Sequence, residues 1–189
     1  MARFYPLSTT PYEQLNQEGA GGKASGLARL AGEGFRTPPG FVILDSGNAL
    51  SQEELGTHLE AIGPGPYAVR SSASDEDGDS ASFAGQYVSV LNVTDLAGVV
   101  AAIHECEASL ESVRAQAYRD AKGGEGAQSM GVVVQAMIAP KAAGVLFTAD
   151  PVTGRRDRVV VDAVAGLGEA LVSGHSTPDH ILTDLSGRI

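Results

Sequence analysis

The sequence has one cysteine, Cys106, and no tryptophan in 189 residues. A lone cysteine excludes an intrachain disulfide framework and a cysteine-rich zinc site, and a reducing cytoplasm is the expected compartment. Basic residues are also scarce. Thirteen Lys and Arg stand against twenty-three Asp and Glu, a formal net charge of −10. Such a field repels phosphates, so it argues against a general nucleic-acid or membrane-surface binder and requires any nucleotide to be held locally. Long apolar runs are missing: Met130 to Val134 and Ala142 to Phe147 fall far short of the roughly 20 residues of a membrane span. The N-terminus has neither the basic region nor the apolar stretch of a secretory leader, and a soluble cytoplasmic chain is expected. Hydrophobic residues make up 43%, enough for a real core, and twenty-four glycines point to tight turns or close backbone approaches.

Along the chain, Ala24, Leu27, Ala28, Leu30 and Ala31 recur at helical spacing between Gly22 and Gly34. Thr37-Pro38-Pro39-Gly40 reads as a turn, Phe41 to Leu44 as a buried strand, Gln52 to Ile62 as a helix and Tyr67 to Arg70 as a strand. Ser71 to Gly85 is a long polar loop, followed by an alternating strand from Tyr87 to Val93; loops of that length inside a compact domain are usually functional or disordered. Thr94-Asp95 offers an N-cap for a helix to about Ala121 with Leu96, Val99, Val100, Ile103, Leu110, Val113 and Tyr118 on its apolar face. Segments Met130 to Ile138, Gly144 to Ala149 and Arg158 to Val164 are β-rich, and their short spacings favour antiparallel hairpins. A last strand is expected near His180 to Thr183, and a subdomain break near Asn92 to Asp95.

Four motifs require weighing. Gly21-Gly22-Lys23-Ala24-Ser25 fails as a P-loop, because Gln17 replaces the first glycine and Ala24 follows the lysine. What survives is a Gly-Gly turn opening a helix, whose free N–H groups and lysine can meet an anion; the competing reading is a solvated lysine on an ordinary helix start. Gly166-Leu167-Gly168-Glu169-Ala170-Leu171 is rejected as a dinucleotide fingerprint, since Leu171 stands where the third glycine belongs and no βαβ unit surrounds it. His175 and His180 are five apart with Pro178 between them, and read as surface histidines. Arg70 ends an apolar strand beside a Ser- and Gly-rich loop, which suits a forked phosphate grip. Asp75, Glu76, Asp77 and Asp79 make an acidic connector an equal alternative.

Taken in order, seven segments resemble the N-terminal ATP-binding domain shared by phosphoenolpyruvate synthase, pyruvate phosphate dikinase and rifampicin phosphotransferase. They are Gly21-Gly22-Lys23, Gly34 to Val42, Val69-Arg70-Ser71-Ser72-Ala73, Ser82-Phe83-Ala84-Gly85-Gln86, Val132 to Gln135, Ala143 to Gly154, and Gly166-Leu167-Gly168-Glu169. The resemblance implies an α+β, ATP-grasp-like fold with two mostly antiparallel subdomains, 1–93 carrying the phosphate loop and 94–189 an incomplete second subdomain that clamps ATP with the first. It implies that Lys23 and Arg70 contact the ATP phosphates and that the loop around Ser82 and Gly85 closes over them. It also implies that the backbone of Gln135, Ala136 and Met137 reads adenine, and that Glu169 lines the nucleotide cleft.

In the family a phosphoryl group passes from ATP, with Mg²⁺, to a histidine on a separate swivelling domain and then to pyruvate or another acceptor. The chain is expected to be truncated before the strand carrying the Glu and Gln magnesium ligands, to be trimmed between Val42 and Tyr67, and to be inactive alone. Its expected partners are ATP and the phosphohistidine and pyruvate-binding domains of the same or a split enzyme. The alternatives are a non-catalytic nucleotide-binding or regulatory module, and a degenerate fragment.

Overall fold

The computed structural model describes residues 1–47, 50–73, 88–120 and 130–187. Its elements run β1 (Arg3–Pro6), α1 (Tyr12–Gln17), α2 (Gly22–Gly32), β2 (Gly40–Leu44), α3 (Gln52–Ile62), β3 (Tyr67–Ala73), β4 (Ser89–Val93) and α4 (Leu96–Asp120). Then come β5 (Met130–Ala136), β6 (Ala142–Phe147), β7 (Arg158–Ala165), α5 (Glu169–Val172) and β8 (Asp179–Asp184). The chain is α+β with antiparallel pairing in both sheets. It divides into two compact units, Met1–Met137 and Ile138–Ile189.

The first unit holds a five-stranded sheet in the order β1-β2-β5-β3-β4. Its centre is β5, whose Val132, Val133 and Val134 are 1%, 0% and 0% exposed. A run apolar at every position suits a strand covered on both faces, and that is why β5 inserts between β2 and β3. The local spacing predicts a hairpin between this strand and the next; instead β6 pairs with β7, in the second unit. The same insertion moves the structural break. The sequence puts it near Asn92 to Asp95, whereas α4 and β5 both pack with the first sheet and the units part after Met137.

Alternation along the strands sorts the core into two layers. Phe41, Ile43, Val69, Val132 and Val134 face Leu55 and Leu59 of α3 and Val99, Ile103 and Cys106 of α4. Val42, Leu44 and Val133 face Leu15 of α1 and Ala24 and Ala28 of α2. The helices start where their caps dictate: Ser51 Oγ accepts the Glu54 amide at 3.2 Å for α3, and Asp95 Oδ1 accepts the Gly98 amide at 2.7 Å for α4. The side chains of Leu110, Val113 and Tyr118, expected on the apolar face of α4, lie outside the described ones.

The second unit is a three-stranded meander, β6-β7-β8, with α5 beside it. Asp150 shapes the β6–β7 turn by accepting the Val152 and Thr153 amides on Oδ1 at 2.9 and 3.1 Å. Val160 and Val164 are its buried hydrophobic residues among those described. No helix among the described residues is long and apolar enough to cross a membrane.

Candidate functional site

The site forms where α2 begins and β3 ends. Gly21 precedes α2 at φ +85°, a left-handed conformation that glycine adopts without strain. A Cβ there would lie 2.3 Å from the Ser72 carbonyl oxygen. Gly131, the β5 partner of Ser72, permits a second close approach: a Cβ on it would fall 2.6 Å from Val42 Cγ2 and 3.0 Å from the Ala20 carbonyl oxygen. Two missing side chains thus let the turn leading into α2 lie directly on the sheet.

Lys23 is half-buried in the first turn of α2, and its Nζ donates to the Ser71 carbonyl at 2.7 Å. Arg70, the neighbour of Ser71, is also half-buried, and its Nε reaches Ser89 Oγ on β4 at 3.4 Å. Strand alternation puts Arg70 on the same face as Ser72, two residues or about 7 Å along β3. That face carries α2, because Ser72 Oγ accepts the Ala24 amide at 3.0 Å. The fold therefore brings Lys23 and Arg70, 47 positions apart in sequence, together on β3, which runs on to Ala73 and so holds Arg70 at mid-strand rather than at the strand end the sequence suggests. Among the described residues no carboxylate forms an ion pair with Arg70.

Behind the strand, Cys106 Sγ lies 3.8 Å from the carbonyls of Val69 and Val88. Burial, reinforced by Glu105, pushes its thiol up to about 11. It is a structural cysteine, weakly bonded to backbone, and its raised pKa leaves little thiolate at neutral pH.

The other expected site residues fall differently. Gln135 is buried, and its Nε2 donates to the Pro38 carbonyl at 2.9 Å, tying down the segment 37–39, which has no regular structure rather than the turn expected from its prolines. Ala136 donates its amide to Pro39 and Met137 donates its own to Pro66, both at 2.9 Å. Neither amide is thus available to a base edge in this arrangement, and among the described residues the next unengaged amide is that of Ile138. Met137 is half-buried, with its sulfur accepting the Asn92 amide at 3.0 Å. Glu169 belongs to the second unit, exposed at the start of the four-residue α5. Ser82 and Gly85 lie outside the described residues.

His175 and His180 are both exposed. His180 Nδ1 sits 2.6 Å from Asp162 Oδ1 across β7 and β8, and His175 Nδ1 lies 3.0 Å from Ser173 Oγ. Among the described residues no three His, Cys, Asp or Glu side chains group to hold a metal ion, so no magnesium ligand is assigned here.

Sequence reasoning singled out Lys23 and Arg70 but gave no role to Ser72 or Ser89. The signal available was the pair of small hydroxyl residues directly after Arg70, at positions where the strand turns out to be fully buried.

Comparison with known proteins gives the family. The family described as pyruvate phosphate dikinase, AMP/ATP-binding domain, matches residues 46–188. That range includes Arg70 and Gln135 to Met137 and begins after Lys23. A rifampicin phosphotransferase of a Streptomyces species is 52% identical over 124 residues, covering 65% of this chain and 14% of the relative. A phosphoenolpyruvate synthase of Aeropyrum pernix is 42% identical over 134 residues, 70% of this chain and 16% of the relative. The prodigiosin synthesizing transferase PigC of Serratia marcescens is 36% identical over 204 residues, 89% of this chain and 22% of the relative. The chain thus spans only about a seventh to a fifth of the length of these relatives. With the family match extending over most of its length, the chain belongs to the pyruvate phosphate dikinase AMP/ATP-binding domain family.

Proposed function

We propose that this chain is the nucleotide-binding part of an ATP-dependent phosphotransferase, ATP-grasp-like in fold, in which Lys23 and Arg70 hold the ATP phosphates. The observation that carries the reading is their convergence on adjacent residues of β3, with Lys23 held on the carbonyl of Ser71, the residue after Arg70. An ammonium is a compact charge with three rotatable donors, a form suited to phosphate oxygens. A guanidinium on the same face adds a planar fork suited to two phosphate oxygens at once. The start of α2 supports the same use, because the positive end of the helix dipole lies beside Lys23.

Phosphoryl transfer depends chiefly on positioning and on charge placed where negative charge develops. The role proposed for these residues is therefore to orient the phosphates and neutralise them. The acceptor is proposed to be a histidine on a separate swivelling domain, from which the phosphoryl group continues to a small-molecule acceptor; Mg²⁺ is expected to accompany ATP through ligands outside the described residues. For the base, the backbone of Gln135 to Met137 is proposed to line the adenine site, with the amides of Ala136 and Met137 held by the Pro39 and Pro66 carbonyls.

Calorimetric titration of ATP into the 189-residue chain and its variants tests the reading. Lys23→Ala and Arg70→Ala should each weaken binding by about 1–3 kcal/mol, the worth of a charge-assisted hydrogen bond, with circular dichroism unchanged. Unchanged affinity in both variants would sink the phosphate-grip assignment.

A further inference from the structure

We propose that Ser72 is a positioning residue for nucleotide binding: it caps α2 from across the fold and so fixes Lys23 in register with Arg70. This rests on the reading of Lys23 as a phosphate ligand and adds what holds it in place. A helix start leaves its first amides without intrahelical partners, and a serine, threonine or aspartate at the N-cap normally accepts one of them. Here the N-cap is Gly21, whose carbonyl accepts the Ser25 amide at 3.1 Å but which has no side chain to accept the amides before it. Ala24, the third residue of α2, is 0% exposed, so its amide cannot turn to water instead. The acceptor comes from Ser72 Oγ at 3.0 Å, 48 positions away in sequence and itself 0% exposed.

A cap supplied from a strand does more than a local cap. It fixes the helix in rotation and in translation along β3, because the same residue closes on Gly21 through its carbonyl while its hydroxyl closes on Ala24. Lys23 lies between those two contacts in the chain, and its ammonium meets the carbonyl of the preceding residue, Ser71. Arg70 projects from the same face of the same strand, so neither cation can shift relative to the other while Ser72 is in place. Ser72 touches no phosphate in this scheme; its effect on ATP is expected to pass through Lys23.

The test is a double-mutant cycle read by titration calorimetry with two ligands, ATP and adenosine. Ser72→Ala should weaken ATP binding about fivefold to tenfold, the usual worth of a lost cap, while leaving adenosine affinity within twofold. In a Lys23→Ala background the same substitution should change ATP affinity by less than twofold, since the group it positions is gone. Ser72→Cys fills the same space with a weak acceptor and is expected to behave like Ser72→Ala, which keeps the test open should the alanine variant not fold. Equal losses for ATP and adenosine, or equal losses in both backgrounds, would make Ser72 merely structural and overturn the proposal. If Lys23→Ala weakens ATP binding but Ser72→Ala and Ser72→Cys do not, the positioning role alone fails. If Lys23→Ala binds ATP as the parent chain does, the phosphate-grip reading fails and the positioning role falls with it.

Discussion

The two compact units solve the same problem, an antiparallel sheet to be covered, with unequal means. In the first, helices lie against both faces: α3 and α4 close one layer, α1 and α2 the other, and β5 is buried throughout its Val132 to Val134 run. In the second, a three-stranded sheet of 52 residues' unit has one four-residue helix, and Val145, Leu146, Val172, Leu182 and Leu185 remain at least 36% exposed. Apolar area removed from water is the dominant favourable term in folding, so stability should concentrate in the first unit. The cations proposed to hold phosphate sit there, where packing can hold them to fixed positions. A precise grip on a ligand needs a rigid support, and only one unit has the core to supply it.

The largest expected effect tests that inequality directly. Phe41 is 1% exposed at the junction of β2 with α3, its ring tilted against His58 with centroids 5.2 Å apart, and Phe41→Ala should cost about 3–5 kcal/mol. Val160→Ala, at the best-buried position of the second unit, removes two carbons and should cost about 2 kcal/mol. Urea titration followed by hydrogen-exchange mass spectrometry resolves the units separately. Loss of protection confined to the unit that carries the substitution supports independent stabilities; matched loss in both would show one cooperative block and break the comparison.

A smaller effect comes from glycines in the two units. Gly131→Ala drives a methyl to 2.6 Å from Val42 and 3.0 Å from the Ala20 carbonyl, and overpacking of this kind should cost about 1–3 kcal/mol. Gly168→Ala places its methyl 3.4 Å from Ala143 Cβ, close to ordinary contact, and should stay within about 0.5 kcal/mol. Thermal melts of the two variants check the pair. A neutral Gly131→Ala would mean that the α2 turn is free to lift away from the sheet.

Much of this fold is legible in the sequence because its signals are local. Helix α3 occupies Gln52 to Ile62, the range its apolar period marks, since Ser51 and Gly63 fix both ends chemically. What escapes is either too short or too distant. Strand β1 has four residues, two of them exposed, and α1 buries Leu15 alone within Tyr-Glu-Gln-Leu-Asn-Gln, so neither carries a readable period. The place of β5 depends on pairing with strands far back in the chain, and local spacing favours the nearest hairpin instead. The candidate site divides in the same way. Lys23 and Arg70 stand out as charges beside small residues, but their common face follows from strand register, and the Ser72 cap spans 48 positions. No window of sequence contains both of its ends.

The smallest effects are those of pH, and they separate the units by burial. In the first unit the Cys106 thiol is raised from 9.0 to about 11, chiefly by burial. The folded state therefore keeps its proton where the unfolded chain would release it. The contribution is full below pH 9 and is lost as pH rises toward 11, so stability should fall over that window. Cys106→Ala removes this slope whatever it does to the absolute stability, and the difference between the two urea midpoints followed from pH 8 to 11 isolates it. In the second unit the Asp157 carboxyl is lowered from 3.8 to about 2, first by its hydrogen bond from Arg155. Here the sign reverses: support is present above pH 3.8 and lost as pH falls toward 2. Both partners are more than half exposed, so water and salt screen the pair, and Asp157→Asn should leave the melting temperature at pH 7 unmoved. A carboxyl titration by NMR that shifts toward 3.8 on adding 1 M salt would confirm a screened surface pair. A salt-independent value would place Asp157 in a drier setting and narrow the contrast between the units.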